Sequence, residues 1–183
     1  MQSLGIVLVS IIAADIYGIV HDQVTARVCV EYFTIGHPPV FHTDEPTLLG
    51  IGWGIIATWW VGALLGLPLA IVARAGNRPK RDVKSLIRPI AILMIVNAIC
   101  AAIAGTIGWL ATTRGWLRLP DFVAANIPND KQVPFMADLW AHNSSYAIGF
   151  AGGLIVIALV WRSRIVTATI ARSSVPRQAD ISQ

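Results

Sequence analysis

Residues 48–73 read LLGIGWGIIATWWVGALLGLPLAIVA and contain no charged side chain. A helix of about 20 mostly apolar residues crosses the hydrocarbon core of a bilayer, so this stretch predicts a transmembrane span. Immediately after it, residues 74–86 are dense in Arg and Lys, and from about Ile87 to Ala111 a second long apolar stretch follows. Working outward, Leu4 to Val20 is apolar apart from Asp15, and about Tyr146 to Trp161 is apolar near the other end. These last two are short, and flanking helix can lengthen them. The expected fold is an all-α membrane protein: one integral domain over residues 1–183, a four-transmembrane-helix bundle with spans at about 4–20, 48–73, 87–111 and 146–161.

Composition agrees. Charged residues are 13% of 183, against about 25% in average soluble proteins, and 55% are hydrophobic. A disordered chain is excluded, and so is a nucleic-acid partner; the expected environment is the lipid bilayer. Two cysteines are too few for a disulfide scaffold or a thiolate zinc finger.

Charge fixes the threading. Arg74, Arg78, Lys80, Arg81, Lys84 and Arg88 follow the second span against Asp82 alone, and the tail 162–183 carries Arg162, Arg164, Arg172 and Arg177 against Asp180. Loop 21–47 carries Asp22, Glu31, Asp44 and Glu45 against Arg27, and loop 112–145 is balanced. Formal charge is +8 on the first side, −3 on the other and −1 at Asp15. Basic loops remain cytoplasmic. The chain is therefore expected to be multi-pass in a bacterial inner (plasma) membrane, with both termini cytoplasmic and loops 21–47 and 112–145 periplasmic. The basic rim also has the composition of a lipid-headgroup patch. Residues 4–14 have the length of a signal-peptide core, but lack a basic leader and a small-x-small cleavage site; they are read as an uncleaved span.

Within the first outer loop, residues 23–35 alternate: Val24, Ala26, Val28, Val30 and Tyr32 on one side, Thr25, Arg27, Cys29, Glu31 and Phe33 on the other. That is a strand period, and an extended segment lying across the helices is expected. Gly36-His37-Pro38-Pro39 breaks it, and Asp44 is the expected cap of the helix entering span two. In the second loop, Pro134 suits a helix's first turn. From there Asp138, His142, Ser145, Gly149 and Gly152 recur on one face. Gly62/Gly66 on span two and Ala101/Gly105 and Ala104/Gly108 on span three permit close helix approach, within the chain or in a homo-oligomer.

Two polar groups stand inside spans, Asp15 and Asn97. They read either as parts of an ion or proton path, or as an interfacial carboxylate and one interhelical hydrogen bond. All four histidines, His21, His37, His42 and His142, fall on the outer side, and with Asp138 they are the candidate metal ligands, three of the histidines converging on the outer end of span four. Asp138 and His142, spaced i, i+4, can face one metal ion. Imidazole and carboxylate together suit zinc, and an open zinc position would activate water. Equally, histidine simply belongs outside hydrocarbon, and neither HExxH nor paired CxxC is present. No catalytic residue is assigned: Ser144 and Ser145 lack a nucleophile elbow, Cys29 reads as buried under the loop, and Cys100 as a packed apolar group. Trp53, Trp109, Trp116, Trp140 and Trp161 sit where interfacial anchors do.

The runs His21-Asp22-Gln23-Val24-Thr25, Glu31-Tyr32-Phe33-Thr34 and Ala57-Thr58-Trp59-Trp60-Val61-Gly62 resemble an uncharacterised family of small bacterial four-span membrane proteins. The resemblance covers the first third to half of the chain and implies a location but no activity. It implies that Asp22, Gln23, Thr25, Glu31, Tyr32, Thr34 and Trp59 form one unit, with Asp22, Gln23, Glu31 and Thr34 as an outer-face polar site. In such relatives other residues can replace His21 and His37. Three functions follow: a binding or accessory membrane protein whose outer loop meets a membrane-protein partner, a metalloprotein or hydrolase using outer His, Asp and Glu, and a small transporter or channel subunit.

Overall fold

A computed structural model describes residues 1–173 of the chain. Of the expected cytoplasmic tail, Arg177 and Asp180 lie outside the described residues, as does the side chain of Arg172.

Four long helices dominate: α1 (Gln2–Val28), α3 (Pro46–Arg74), α4 (Val83–Thr113) and α6 (Gln132–Ser173), joined by the one-turn helices α2 (Val30–Thr34) and α5 (Asp121–Ala124) and a 3₁₀ turn at Asn129–Lys131. Each long helix is apolar and long enough to cross a membrane. The chain is a multi-pass integral membrane protein with a four-helix bundle fold.

The bundle is turned inside out relative to a soluble one. On α1 the large apolar side chains Leu4, Leu8, Ile12, Ile16, Val20, Val24 and Val28 form an exposed stripe at every fourth position, which is the face lipid covers. The face turned inward carries small and polar residues: Ser10, Gly18, Asp22 and Thr25. With no hydrophobic drive between helices in lipid, close backbone packing supplies the association. A Cβ placed on Gly54 would stand 2.6 Å from Ile19 Cα, and one on Gly62 2.6 Å from Ile11 Cα. Gly62 and Gly66 therefore pack within the chain, against α1. The bundle consists of two such pairs, α1 along α3 and α4 along α6, with a seam between them.

Each end has its own core. At one, the histidine end, Ala26, Cys29, Tyr32, Phe33, Leu49, Trp53, Leu119, Ile127, Phe135 and Met136 form a buried cluster that roofs the helices. At the other, the arginine end, Ile6, Leu69, Ala73, Leu86, Ile90, Val156 and Val160 pack together. There Arg164, 2% exposed, donates to the carbonyls of Val72, Ala75, Arg78 and Pro79. It thereby satisfies carbonyls at the end of α3, which a helix terminus otherwise leaves orphaned. The basic segment 74–88 and the described tail arginines Arg162 and Arg164 lie at this one end.

Two expectations are corrected. Residues 23–35 are not extended: α1 continues through Val28, breaks at Cys29 (φ −150°, ψ 97°) and resumes as α2. The helix wins because it satisfies its own backbone next to lipid and keeps Val24 and Val28 on the exposed stripe. The cap of α3 is Glu45, not Asp44; its Oε2 accepts from Leu48 N at 2.7 Å. The fourth span is lengthened by flanking helix as expected: α6 starts at Gln132, with Pro134 in its first turn. The first outer loop shrinks accordingly, leaving 35–45 as its non-helical part.

Candidate functional site

Asp22 and His142 meet across the seam at the histidine end. Asp22 lies near the end of α1, one residue past His21, on its buried face. His142 lies three turns into α6. Its Nδ1 is 2.7 Å from the Asp138 carbonyl oxygen. A carbonyl cannot donate, so Nδ1 carries the proton and donates. Its Nε2 stands 3.2 Å from Asp22 Oδ1. A neutral imidazole has one N–H, already used at Nδ1, so its Nε2 presents a lone pair to a carboxyl oxygen. That approach is favourable only with something positive between them: a second proton on His142, a proton on Asp22, or a cation.

His21 completes the group. Ligand atoms of His21, Asp22 and His142 all lie within 4.8 Å of one another. The His21 and His142 rings meet edge to face with centroids 4.6 Å apart, and His21 Nε2 is buried without a hydrogen-bond partner among the described residues. Alongside, Tyr17 Oη and Ser145 Oγ share a 2.7 Å hydrogen bond, again from α1 to α6.

An aromatic roof shields the cluster. Tyr32 stacks on His142 with centroids 4.4 Å apart and touches Phe135 and His37. His37 in turn lies 4.6 Å from the Trp53 ring. Its Nδ1 donates to the Tyr32 carbonyl at 2.9 Å. Burial, outweighing that bond, pulls the His37 imidazole below its ordinary pKa, so it is neutral at pH 7. Burial also pushes the Tyr32 phenol up. The roof is uncharged.

Beneath the cluster the four long helices line a cavity of about 110 Å³. Its histidine end is polar, with Tyr17, His21, Asp22, His142 and Ser145; its far end is Leu69, Ile90, Val156 and Ile157. Asn97 lines it midway, 3% exposed, with Oδ1 buried and unpartnered among the described residues.

The remaining candidates fall elsewhere. Asp138 and His142 share a face of α6, as their spacing predicts. However, among the described residues the Asp138 carboxyl is outside the ligand group, and its Oδ2 is buried without a partner. What Asp138 gives His142 is its backbone carbonyl. His37 belongs to the roof, and His42 is exposed beside a shallow depression with Phe41 and Asp44. Gln23 ties α1 to α3: its Nε2 donates to the Thr47 carbonyl at 3.0 Å, and Arg27 donates to its Oε1 at 2.7 Å. Glu31 pairs with Lys131 at 3.3 Å. Burial alone would raise the Glu31 carboxyl, but hydrogen bonds from the backbone, Lys131 and Cys29 outweigh it and hold it below its ordinary value. Thr34 bonds back to the Val30 carbonyl. Asp15 accepts from Thr58 Oγ1 of α3 at 3.2 Å, and Asn97 makes no interhelical hydrogen bond through Oδ1. Cys29 is buried, and burial pushes its thiol up to about 12, so it is no nucleophile at neutral pH. Cys29 and Cys100 are both free.

Sequence reasoning placed Asp22 in a polar patch but not on His142. The residues are 120 apart, and no spacing rule joins them. No protein-family model, no curated protein and no solved structure matches the chain at a significant level. The functional reading rests on the geometry.

Proposed function

We propose that this integral membrane protein is a binding protein for a divalent cation of the zinc type, held by His21, Asp22 and His142 at the histidine end of the bundle. The observation that carries the reading is the His142 Nε2–Asp22 Oδ1 approach of 3.2 Å with Nδ1 already committed to a carbonyl. Zinc bonds of about 2.0–2.2 Å at a tetrahedral angle separate their ligands by roughly 3.4 Å, close to this value. A metal-bound imidazole generally donates its other N–H to a carbonyl or carboxylate, as His142 does. His21, whose Nε2 is buried and unpartnered among the described residues, supplies a third ligand. Two neutral imidazoles and one carboxylate suit zinc.

Three protein ligands leave one position for water or a small ligand. An open zinc position also supports hydrolysis, so hydrolytic activity is the second reading, favoured by the ligand count alone. The excess of Arg and Lys over Asp and Glu at the opposite end supports placing the site on the outer face of an inner membrane, with the arginine end cytoplasmic.

The test is metal content of the purified full chain by mass spectrometry after zinc loading and dialysis. About one zinc per chain is expected, with His142→Ala and Asp22→Asn each lowering affinity roughly 10- to 100-fold or more. Asp138→Asn retains the metal, because Asp138 contributes through its backbone. Absence of zinc from the wild type, or its loss in Asp138→Asn with retention in Asp22→Asn, overturns the assignment.

A further inference from the structure

The arginine end is built around one buried cation. The Arg164 guanidinium ties down the loop after α3 through the carbonyls of Ala75, Arg78 and Pro79. Two further bonds close that loop: Arg81 N donates to the Ala73 carbonyl at 3.0 Å, and the Arg74 guanidinium donates to the Arg81 carbonyl at 3.3 Å. The backbone of 75–81 is thus held in one shape. The side chains of Arg78 and Lys80 stand exposed on it, and Arg162 stands exposed beside it on α6.

Among the described residues this positive charge has no acidic answer. Within 74–88 the one carboxylate is Asp82, and its Oδ1 is spent on capping α4, accepting from Ser85 N at 3.0 Å. The close acid–base pairs, Glu31 with Lys131 and Asp22 with His142, both lie at the histidine end. Arg78 is held in place without being neutralised: its guanidinium carbon lies over the Trp161 ring, 4.7 Å from the centroid. A ring face attracts the cation but leaves guanidinium N–H donors free for an anion. What lies next to these donors is apolar. Trp161, Ala158 and Leu154 share one exposed stripe of α6, the spacing that puts residues on one helical face. Two exposed guanidinium groups therefore stand at the head of a strip that lipid chains cover. A phosphodiester with acyl chains matches both parts. A zwitterionic headgroup brings its own ammonium into a field of arginines, and a free phosphate leaves the apolar strip unused.

We infer that Arg78, Trp161 and Arg162 form a binding site for an anionic glycerophospholipid, its phosphodiester on the two guanidinium groups and an acyl chain along Ala158 and Leu154. The site lies at the opposite end of the bundle from the cation cluster, shares no residue with it and does not rest on that reading.

The test is native mass spectrometry of the full chain in neutral detergent, with phosphatidylglycerol and phosphatidylcholine of the same acyl chains added in equal amounts. Retention of phosphatidylglycerol about tenfold above phosphatidylcholine is expected, and Arg78→Gln and Arg162→Gln each lower it about fivefold, the effect of one cation beside an anionic headgroup. Arg78→Lys keeps the charge but loses the fork that grips a phosphate with two donors, and lowers retention less than Arg78→Gln. Arg118→Gln, exposed at the histidine end, removes the same charge and leaves retention unchanged. Millimolar inorganic phosphate does not displace the lipid. Equal losses in Arg118→Gln and Arg78→Gln overturn the inference, because net charge alone then draws the lipid. Equal retention of the two lipids overturns it as well, and displacement by inorganic phosphate reassigns the arginines to a free anion. The variants change exposed side chains and keep the carbonyls that hold Arg164, so a loss of retention reports the site and not the fold.

Discussion

His37 shows what the roof requires of single residues. It is one of few titratable groups in a layer that otherwise consists of Tyr32, Phe33, Trp53 and Phe135. Burial depresses its pKa below the ordinary 6.5. In the unfolded chain it binds a proton near that value; in the folded chain it does so only at lower pH. The unfolded state therefore binds more protons as pH falls below about 6.5, and folding stability falls with it. His37→Asn keeps a donor for the Tyr32 carbonyl and removes the titration. The thermal midpoint of the wild type in detergent should fall more between pH 7.5 and 5.5 than that of His37→Asn. Equal losses would show that His37 stays neutral without cost. Asp138 and His142 illustrate what spacing tells at this scale. Their i, i+4 placement on one helical face was legible. Which atom of Asp138 meets His142 was not, because the carbonyl and the carboxyl leave the helix in different directions.

Between elements, backbone proximity sets the order. The α1–α3 pair closes where Gly54 and Gly62 face Ile19, Ser10 and Ile11. Gly62→Val would drive branched carbons into the α1 backbone; overpacking of this kind costs about 1–3 kcal/mol or more. Gly76→Ala meets no atoms but stands at φ +70°, which costs an L-residue about 1–2 kcal/mol. Thermal melts of both variants should place Gly62→Val clearly lower; a reversed order would mean that the helices do not approach as described. The elements themselves were largely legible. Residues 48–73 and 87–111 are long and almost uncharged, so nothing but a spanning helix fits them. The failure at 23–35 came from β-branched alternation. Val20, Val24 and Val28 equally continue the fourfold stripe begun at Leu4, and lipid on that side decides for the helix.

For the whole molecule, charge separates the two ends. Arg74, Arg78, Arg81 and Arg164 gather at one end and all four histidines at the other. If the basic end is cytoplasmic, Phe122→Cys, 78% exposed at the histidine end, reacts with a membrane-impermeant maleimide in intact cells. Lys84→Cys, at the arginine end, reacts only after permeabilisation. Cys29 is buried and does not confuse the assay. The reversed pattern would invert the topology. Which residues meet across the seam was the part the sequence did not disclose. Asp22 and His142 belong to different helix pairs, and their approach depends on how α1/α3 docks on α4/α6, which local pattern does not encode.

The most direct test of the cation site is X-ray absorption at the zinc edge on the loaded full chain. The account predicts a first shell of two imidazole nitrogens and a carboxylate oxygen at about 2.0–2.2 Å, and loss of imidazole scattering in His142→Ala. A shell of oxygens without imidazole, or one unchanged in His142→Ala, would contradict it.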